Sequence, residues 1–176
     1  MWRDEVDRVL RDDYLGDLAA RPIEEIRTMR TECREIEDKV SYRRRIIQGR
    51  LDIVASDLRR RSEGGSPGDL RTLVEQLPDI LSDKVRGSGP GRLPTGLSAP
   101  DDAFTADIDR AVGPDTLGNL PELPDDAVAG LARTIGDLER EVSEARRRLF
   151  SRIDALNEEL ARRYGAGEAD PGAILR

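Results

Sequence analysis

The sequence contains no histidine and only one cysteine, Cys33. Imidazole catalysis, zinc sites that use histidine and an internal disulfide are therefore excluded, and the single thiol indicates a reducing compartment. No apolar run approaches the roughly 20 residues that span a bilayer, and the N-terminus lacks the apolar segment of a signal peptide. We therefore expect a cytoplasmic protein that neither enters a membrane nor binds a metal.

Aromatic residues are also scarce. They make up 3% of the 176 residues, whereas charged residues make up 37% and the mean hydropathy is −0.59. This composition predicts long exposed helices rather than a compact globular core. The formal net charge of −7 disfavours direct DNA binding and favours a basic protein partner. An anionic ligand would need a local cluster of arginines to bind. Because no nucleophile and base pair, phosphate loop or metal-ligand spacing is present, we do not expect an enzyme.

Two long amphipathic helices dominate the predicted all-α fold. They span residues 22–62, with Pro22 as the first helical residue, and residues 124–165. Their apolar residues alternate in steps of three and four, and two helices of equal length predict an antiparallel coiled-coil hairpin within one chain, monomeric before a partner binds. A change of spacing after Val40 predicts a stutter that places Arg44 in the seam. The seam of the first helix consists of Ile26, Met29, Cys33, Ile36, Val40, Ile47, Leu51, Val54 and Leu58.

The remaining segments are short or poor in apolar residues. Residues 1–20 predict a short N-terminal amphipathic helix, which needs a partner surface to be stable. Residues 63–123 are rich in glycine, proline, serine and aspartate and predict a flexible linker, with residues 70–83 and 117–123 as short ordered pieces within it. Residues 166–176 predict a flexible tail.

A polar pattern recurs on the two long helices. On the first helix it falls within a stripe roughly 80° wide. Adding 102 to each residue number leads to the second helix, where four of the five residue types recur and the apolar seam follows the same offset. Generic coiled-coil composition does not explain this register of polar residues. The first copy is Glu37, Ser41, Arg44, Gln48 and Asp52, and the second is Glu139, Ser143, Arg146, Phe150 and Asp154.

The doubled pattern suits a ligand with two-fold symmetry, because both stripes lie in the middle of antiparallel helices. Arginine offers a planar fork to guanine O6 and N7 or to phosphate, and a carboxylate accepts from guanine N1 and N2 hydrogens. Without a ligand, we expect the two inward arginines to repel each other and loosen the hairpin. The alternative is a coiled-coil scaffold or adaptor with no nucleotide ligand, in which Arg44 and Arg146 fix the register and pair with nearby acids.

The doubled pattern resembles the signature of the RsiG family of actinobacterial anti-sigma factors, in which Glu, Ser, Arg, Gln and Asp are separated by three, two, three and three residues on each of two helices. The resemblance implies that the two copies bind cyclic di-GMP as a pair of molecules. It also implies that the loaded protein holds a WhiG-type sigma factor away from RNA polymerase and thereby blocks sporulation genes. The first copy is complete, whereas Phe150 stands where the pattern has a polar residue and cannot form the hydrogen bonds of an amide. This half-site is therefore either weaker or replaces a hydrogen bond with a base-stacking surface.

The N-terminal segment is a candidate contact for the sigma factor. Tyr14, Leu15 and Leu18 would supply apolar contact, and an acidic face would meet the basic DNA-binding regions of a sigma factor. The alternative is that this segment folds onto its own hairpin. The acidic face consists of Asp4, Glu5, Asp7, Asp12 and Asp13.

Overall fold

The structure is a computed structural model that describes residues 2–64 and 102–167, with the backbone alone at residues 102–104. All regular structure in these ranges is helical, which confirms the predicted all-α class. The predicted piece at 70–83, most of the glycine-rich connection and the tail beyond residue 167 lie outside the described residues. The helices are α1 (Trp2–Leu10), α2 (Ile23–Ser62), α3 (Asp102–Val112), α4 (Pro114–Gly118) and α5 (Asp125–Gly165), with 3₁₀ turns at Leu18–Ala20 and Leu120–Glu122.

The long helices α2 and α5 contain 40 and 41 residues. α2 begins at Ile23 rather than at Pro22, because the Pro22 carbonyl accepts from the backbone N–H groups of Glu25 and Ile26, at 3.0 and 3.3 Å, and so lies just outside the helix. Both helices start with acidic residues and end with arginines, the order of charge that the helix dipole favours. The chain leaves α5 through Gly167, whose left-handed backbone (φ 74°) favours glycine.

The described residues form two compact units, and the first comprises residues 2–42 and 142–167. Within it α2 and α5 are antiparallel: Arg27 donates to the Tyr164 hydroxyl at 3.0 Å, whereas Glu37, further along α2, accepts from Arg146, nearer the start of α5. The two helices bury an apolar seam against each other. Its buried members are Ile26, Met29, Cys33, Ile36, Val40, Val142, Leu149, Ile153, Leu156 and Leu160.

The N-terminal segment belongs to the first unit, but its helix is shorter than the sequence predicts. α1 ends at Leu10, and the chain then turns, with Asp17 in the left-handed conformation (φ 45°). The apolar side of α1 is buried within this unit, so the segment folds onto its own chain. The buried residues of α1 are Val6, Val9 and Leu10.

Two arginines of α5 bind main-chain carbonyl groups at the end of α1 and in the turn that follows it. Arg152 donates to the carbonyl oxygens of Leu10 and Arg11, at 3.0 and 3.2 Å. Arg163, which is buried, donates to two carbonyl oxygens of the Leu18–Ala20 turn, at 2.6 and 3.1 Å. Main-chain carbonyls that no longer accept within a helix are thus satisfied by arginine side chains.

The second unit comprises residues 43–64 and 102–141. Within it α2 and α5 are again antiparallel, since Arg44 donates to Glu139 and Arg61, near the end of α2, donates to Asp125, at the start of α5. The flexible-linker prediction is wrong for residues 102–116, where α3 and most of α4 form, whereas residues 117–123, predicted as a short ordered piece, contain the end of α4 and the second 3₁₀ turn. The buried apolar side chains of this segment, which explain its order, are Ile108, Val112 and, within the predicted piece at 117–123, Leu120.

Three arginines of α2 bind this segment: Arg43, Arg50 and Arg61. Arg43 and Arg50 form ion pairs with Asp107 and Asp109. Arg50 and Arg61 also donate to main-chain carbonyl oxygens at the end of α3 and around the second 3₁₀ turn, at 2.6 to 2.7 Å. The three side chains are only 0%, 15% and 5% exposed, so these contacts lie largely out of water.

The seam of α2 continues without the predicted stutter. After Val40 the next buried position is Arg43, three residues on, and Ile47 follows four residues later. The placement of Arg44 in the seam is therefore wrong; its side chain is 32% exposed. The three-four alternation then continues through Arg50, Val54, Asp57 and Arg61, while Leu51 and Leu58 are only half-buried.

Candidate functional site

Both copies of the polar pattern lie within the long helices, and each copy is divided between the two units. Each unit therefore combines residues from both copies. The first unit contains Glu37, Ser41, Ser143, Arg146, Phe150 and Asp154. The second contains Arg44, Gln48, Asp52 and Glu139.

In the first unit, Arg146 of the second copy binds two residues of the first copy. Its Nε donates to Oε1 of Glu37 at 2.9 Å and to Oγ of Ser41 at 2.8 Å. The Ser41 hydroxyl itself donates to Oε1 of Glu37, so the three groups form a closed triangle. The Glu37 side chain is 12% exposed and that of Arg146 is 37% exposed, which places the carboxylate inside and the guanidinium at the surface.

Phe150 lies one helical turn after Arg146 on α5. The guanidinium carbon of Arg146 stands 4.7 Å from the centroid of the Phe150 ring, within the range of a cation–π contact. Phe150 is also the one large apolar side chain that is exposed in the described part of the chain. The departure from the sequence pattern therefore lies directly against a motif arginine.

In the second unit, Arg44 of the first copy binds Glu139 of the second copy. The Nε of Arg44 donates to Oε1 of Glu139 at 3.0 Å, and the two side chains are 32% and 20% exposed. This pair repeats the Arg146–Glu37 pair with the roles of the two helices exchanged. The arginine of each copy thus neutralises the glutamate of the other copy.

These pairs correct the expectation that the two arginines repel each other without a ligand. Each guanidinium has a carboxylate within 3.0 Å, and neither side chain is fully buried. A paired charge at a partly exposed position adds little to the free energy of unfolding, by about 0–1 kcal/mol. Pairing of Arg44 and Arg146 with nearby acids, which the scaffold alternative assumes, is what the structure contains.

Four further predicted site residues lie on the same two helices as these pairs. Gln48 and Asp52 are half-buried in the second unit, and Ser143 is half-buried in the first. Asp154 is exposed in the first unit. Their role as ligand contacts stays a prediction.

The predicted sigma-contact residues lie beside a polar cluster of the first unit. The Tyr14 hydroxyl donates to Glu32 at 2.6 Å, and Arg8 donates to the same carboxylate at 2.5 Å. Burial and the hydrogen bond to Glu32 raise the pKa of Tyr14, while the hydrogen bond from Arg8 lowers the pKa of Glu32. Burial raises the pKa of the Cys33 thiol beside them. Tyr14 is therefore bound by its own chain, whereas Leu15 and Leu18 are partly exposed.

Sequence reasoning missed the arginines that bind α3 and the second 3₁₀ turn. A strict three-four count from Val40 reaches Arg43, and the same alternation reaches Arg50 and Arg61. This count could have identified them, but charged residues at seam positions are normally interpreted as an interruption of the seam. Their acidic partners lie 59 to 64 residues further along the chain.

The described residues also bear on whether the chain has membrane-spanning helices or groups of metal ligands. They contain no helix that is both long and apolar enough to cross a bilayer. Nor do residues 2–64 and 102–167 bring three potential metal ligands together in one group.

The fold and the motif define a class of protein: an all-helical chain whose two long helices carry paired copies of an arginine-containing polar motif. The RsiG-like family profile matches residues 12–81 and 114–175, most of the chain, so the chain belongs to the RsiG-like family. Membership of this family indicates an anti-sigma role. A comparison with curated proteins gave no match.

Proposed function

We propose that this protein is an anti-sigma factor that binds cyclic di-GMP on its doubled motif and in that state sequesters a WhiG-type sigma factor, which blocks transcription of sporulation genes. Family membership supports the anti-sigma role. One observation carries the ligand proposal: the arginine of each motif copy is paired with the glutamate of the other copy. Each pair thereby brings an arginine and a glutamate, residue types that recognise guanine, together at a partly exposed position of its own unit.

The motif residues fit a guanine dinucleotide chemically. When bound, cyclic di-GMP supplies two guanine bases and two phosphates. Arg44 and Arg146 can keep Nε on a glutamate while their terminal nitrogens donate to guanine O6 and N7 or to phosphate oxygens. The glutamate oxygens can accept from guanine N1 and N2 hydrogens, and serine and glutamine can bind phosphate or sugar.

The pairing also changes how a ligand would act. Because the arginines are already neutralised, the ligand would not relieve a repulsion between them. It would instead stabilise an arrangement that the chain adopts by itself, and a partner that binds this arrangement would gain from it. The gain for the sigma factor equals the gain for the ligand, because coupling between two binding events is reciprocal.

Titration calorimetry with cyclic di-GMP tests the ligand. The Arg44→Ala, Arg146→Ala double variant should lose binding by at least about 100-fold, since two charge-assisted contacts are removed. The matched control is the Arg45→Ala, Arg147→Ala double variant, which removes two exposed arginines that are also 102 residues apart and should bind like the natural chain. Equal binding by both double variants would contradict the proposal.

The sigma partner is tested by the mass of the complex in solution. A WhiG-type sigma factor mixed with the chain should form a complex whose population rises when cyclic di-GMP is added. The Arg44→Ala, Arg146→Ala variant should not show this rise. A complex that ignores the ligand would separate the anti-sigma role from the nucleotide.

The acidic face of the N-terminal segment is proposed as part of the sigma contact. Deletion of this segment would also remove the buried side of α1, so charge reversal is the cleaner test. Asp7→Lys with Asp13→Lys changes two exposed residues and should weaken the complex at low salt more than at high salt. Glu24→Lys with Glu35→Lys, on the exposed part of α2, is the charge-matched control. If both pairs have the same effect, the N-terminal face is not the contact.

The alternative function is a coiled-coil scaffold or adaptor without a nucleotide ligand. The internal satisfaction of both motif arginines favours it, because paired charges need no ligand. It predicts no calorimetric response to cyclic di-GMP. It also predicts that Ser41→Ala, Asp52→Ala and Asp154→Ala leave partner binding unchanged.

A further inference from the structure

Phe150 is the position at which the two motif copies differ in chemistry. It stands on α5 where the first copy has Gln48. Its side chain is 39% exposed, whereas other large apolar side chains of the described residues are buried or half-buried. An aromatic ring kept at the surface of a chain with only 3% aromatic residues loses the free energy that burial would provide. Its position is therefore not explained by packing of the seam.

Three contacts fix the neighbouring Arg146. Glu37 and Ser41 accept from its Nε at 2.9 and 2.8 Å, and the Phe150 ring lies under its guanidinium plane at 4.7 Å. Within the described part of the chain, both of its hydrogen bonds leave from Nε. The terminal nitrogens, which form the fork that reads guanine or phosphate, are the atoms left for a ligand.

The first copy offers a different surface beside its arginine. Arg44 donates from Nε to Glu139 in the same way, but the residue one turn later is Gln48, which is half-buried. An amide discriminates between ligands by their hydrogen-bond donors and acceptors, whereas an aromatic ring stacks on any flat base. The first copy therefore presents a hydrogen-bonding residue beside its arginine, and the second copy presents an aromatic one.

We propose that Phe150 is a stacking platform for one purine base of the ligand, placed so that the Arg146 fork meets the edge of that base. This inference rests on the proposed binding of cyclic di-GMP. It assigns the base at the second copy to contact with an aromatic face in place of the hydrogen bonds of an amide. As a consequence, the surface at Phe150 discriminates less between purines than an amide at the same position would.

Calorimetric titration of two variants with cyclic di-GMP tests the platform. Phe150→Leu keeps apolar bulk but removes the ring, and should weaken binding about 5- to 100-fold, the usual range for a lost base–aromatic stack. Phe150→Tyr keeps the ring and should bind within about 2-fold of the natural chain. Because the side chain is exposed, both variants should unfold at the same temperature as the natural chain, which checks folding.

Selectivity supplies a second measurement. The probe is the cyclic dinucleotide in which one guanine is replaced by adenine. The natural chain should bind it within about 10-fold of cyclic di-GMP. Phe150→Gln, which restores the amide, should widen that gap by about a further 10-fold, because a hydrogen-bonding residue rejects the wrong base more strongly than a ring does.

A fluorescence measurement separates stacking from mere positioning of Arg146. With Trp2→Phe, the Phe150→Trp variant carries the only tryptophan, and guanine stacked on it should quench its emission when cyclic di-GMP binds. Retained binding without a change of emission would overturn the platform. Unchanged binding by Phe150→Leu would overturn it as well and leave the proposed function intact. Absence of cyclic di-GMP binding by the natural chain would overturn both proposals.

Discussion

The two units hold their third element by different forces. In the first unit, α1 buries apolar side chains, and its ion pairs with α2, Glu5–Lys39 and Arg8–Glu32, are at the surface. In the second unit, α3 is held by arginines of α2 that are themselves out of water, most completely Arg43. Removal of a surface partner costs little, whereas a charge buried with its partner depends on that partner. The Arg43–Asp107 pair should therefore contribute more to stability than the surface pairs of the first unit.

The largest expected effect is in the second unit. Asp107→Ala removes the carboxylate that faces Arg43, whose side chain is 0% exposed, and should lower the free energy of unfolding by roughly 3 kcal/mol. Urea denaturation followed by circular dichroism measures the loss, and hydrogen exchange should show that the amides of α3 lose protection first.

The matched control is Asp109→Ala on the same helix. Asp109 pairs with Arg50 but is 41% exposed, so its removal should cost less than about 1 kcal/mol. Equal losses for the two substitutions would show that burial of the ion pair does not decide the strength of this contact.

The second effect, in the first unit, should be smaller. Val9→Ala truncates a side chain that is fully buried on α1 and should lower the free energy of unfolding by about 2 kcal/mol, from two lost methyl groups and the cavity that they leave. Lys39→Ala, which breaks the exposed ion pair to Glu5, should cost below about 0.5 kcal/mol. A larger loss for Lys39→Ala than for Val9→Ala, in the same urea titration, would reverse the comparison.

The same contrast explains how far the sequence predicts the fold. Apolar spacing is a direct record of burial, so the long helices and their antiparallel pairing were predictable from residues such as Ile26 and Leu149. The order of α3 was not, because its attachment depends on Arg43 and Asp107, and a charged residue signals exposure until its partner is known. Ion pairs between residues far apart in the chain produce no periodic pattern in the sequence.

The side-chain contacts of the candidate site were also only partly predictable from the sequence. The offset of 102 identified which polar residues belong together, and the structure pairs Arg146 with Glu37 and Arg44 with Glu139. A strict three-four count selects Arg43 over Arg44 as the inward residue, but within a run of three arginines no apolar residue marks the position as buried. Periodicity could not place the Phe150 ring against Arg146, since that contact depends on side-chain conformation.

The smallest expected effect is a dependence on pH that separates the surface pairs of the two units. The hydrogen bond from Arg8 lowers the pKa of Glu32 from its ordinary value of 4.5, and the hydrogen bond from Arg50 lowers that of Asp109 from 3.8. Each lowered pKa contributes stability that is complete above the ordinary value and is lost as the pH falls through the folded-state value. The loss therefore begins below about pH 4.5 in the first unit and below about pH 3.8 in the second.

Glu32→Gln should remove the first of these losses. Its free energy of unfolding should fall less between pH 5 and pH 3 than that of the natural chain, by less than about 1 kcal/mol because both side chains are partly exposed. Glu35→Gln changes an exposed glutamate of the same helix by the same charge and should keep the natural dependence. If Glu32→Gln keeps it too, the Arg8–Glu32 pair adds nothing to the attachment of α1.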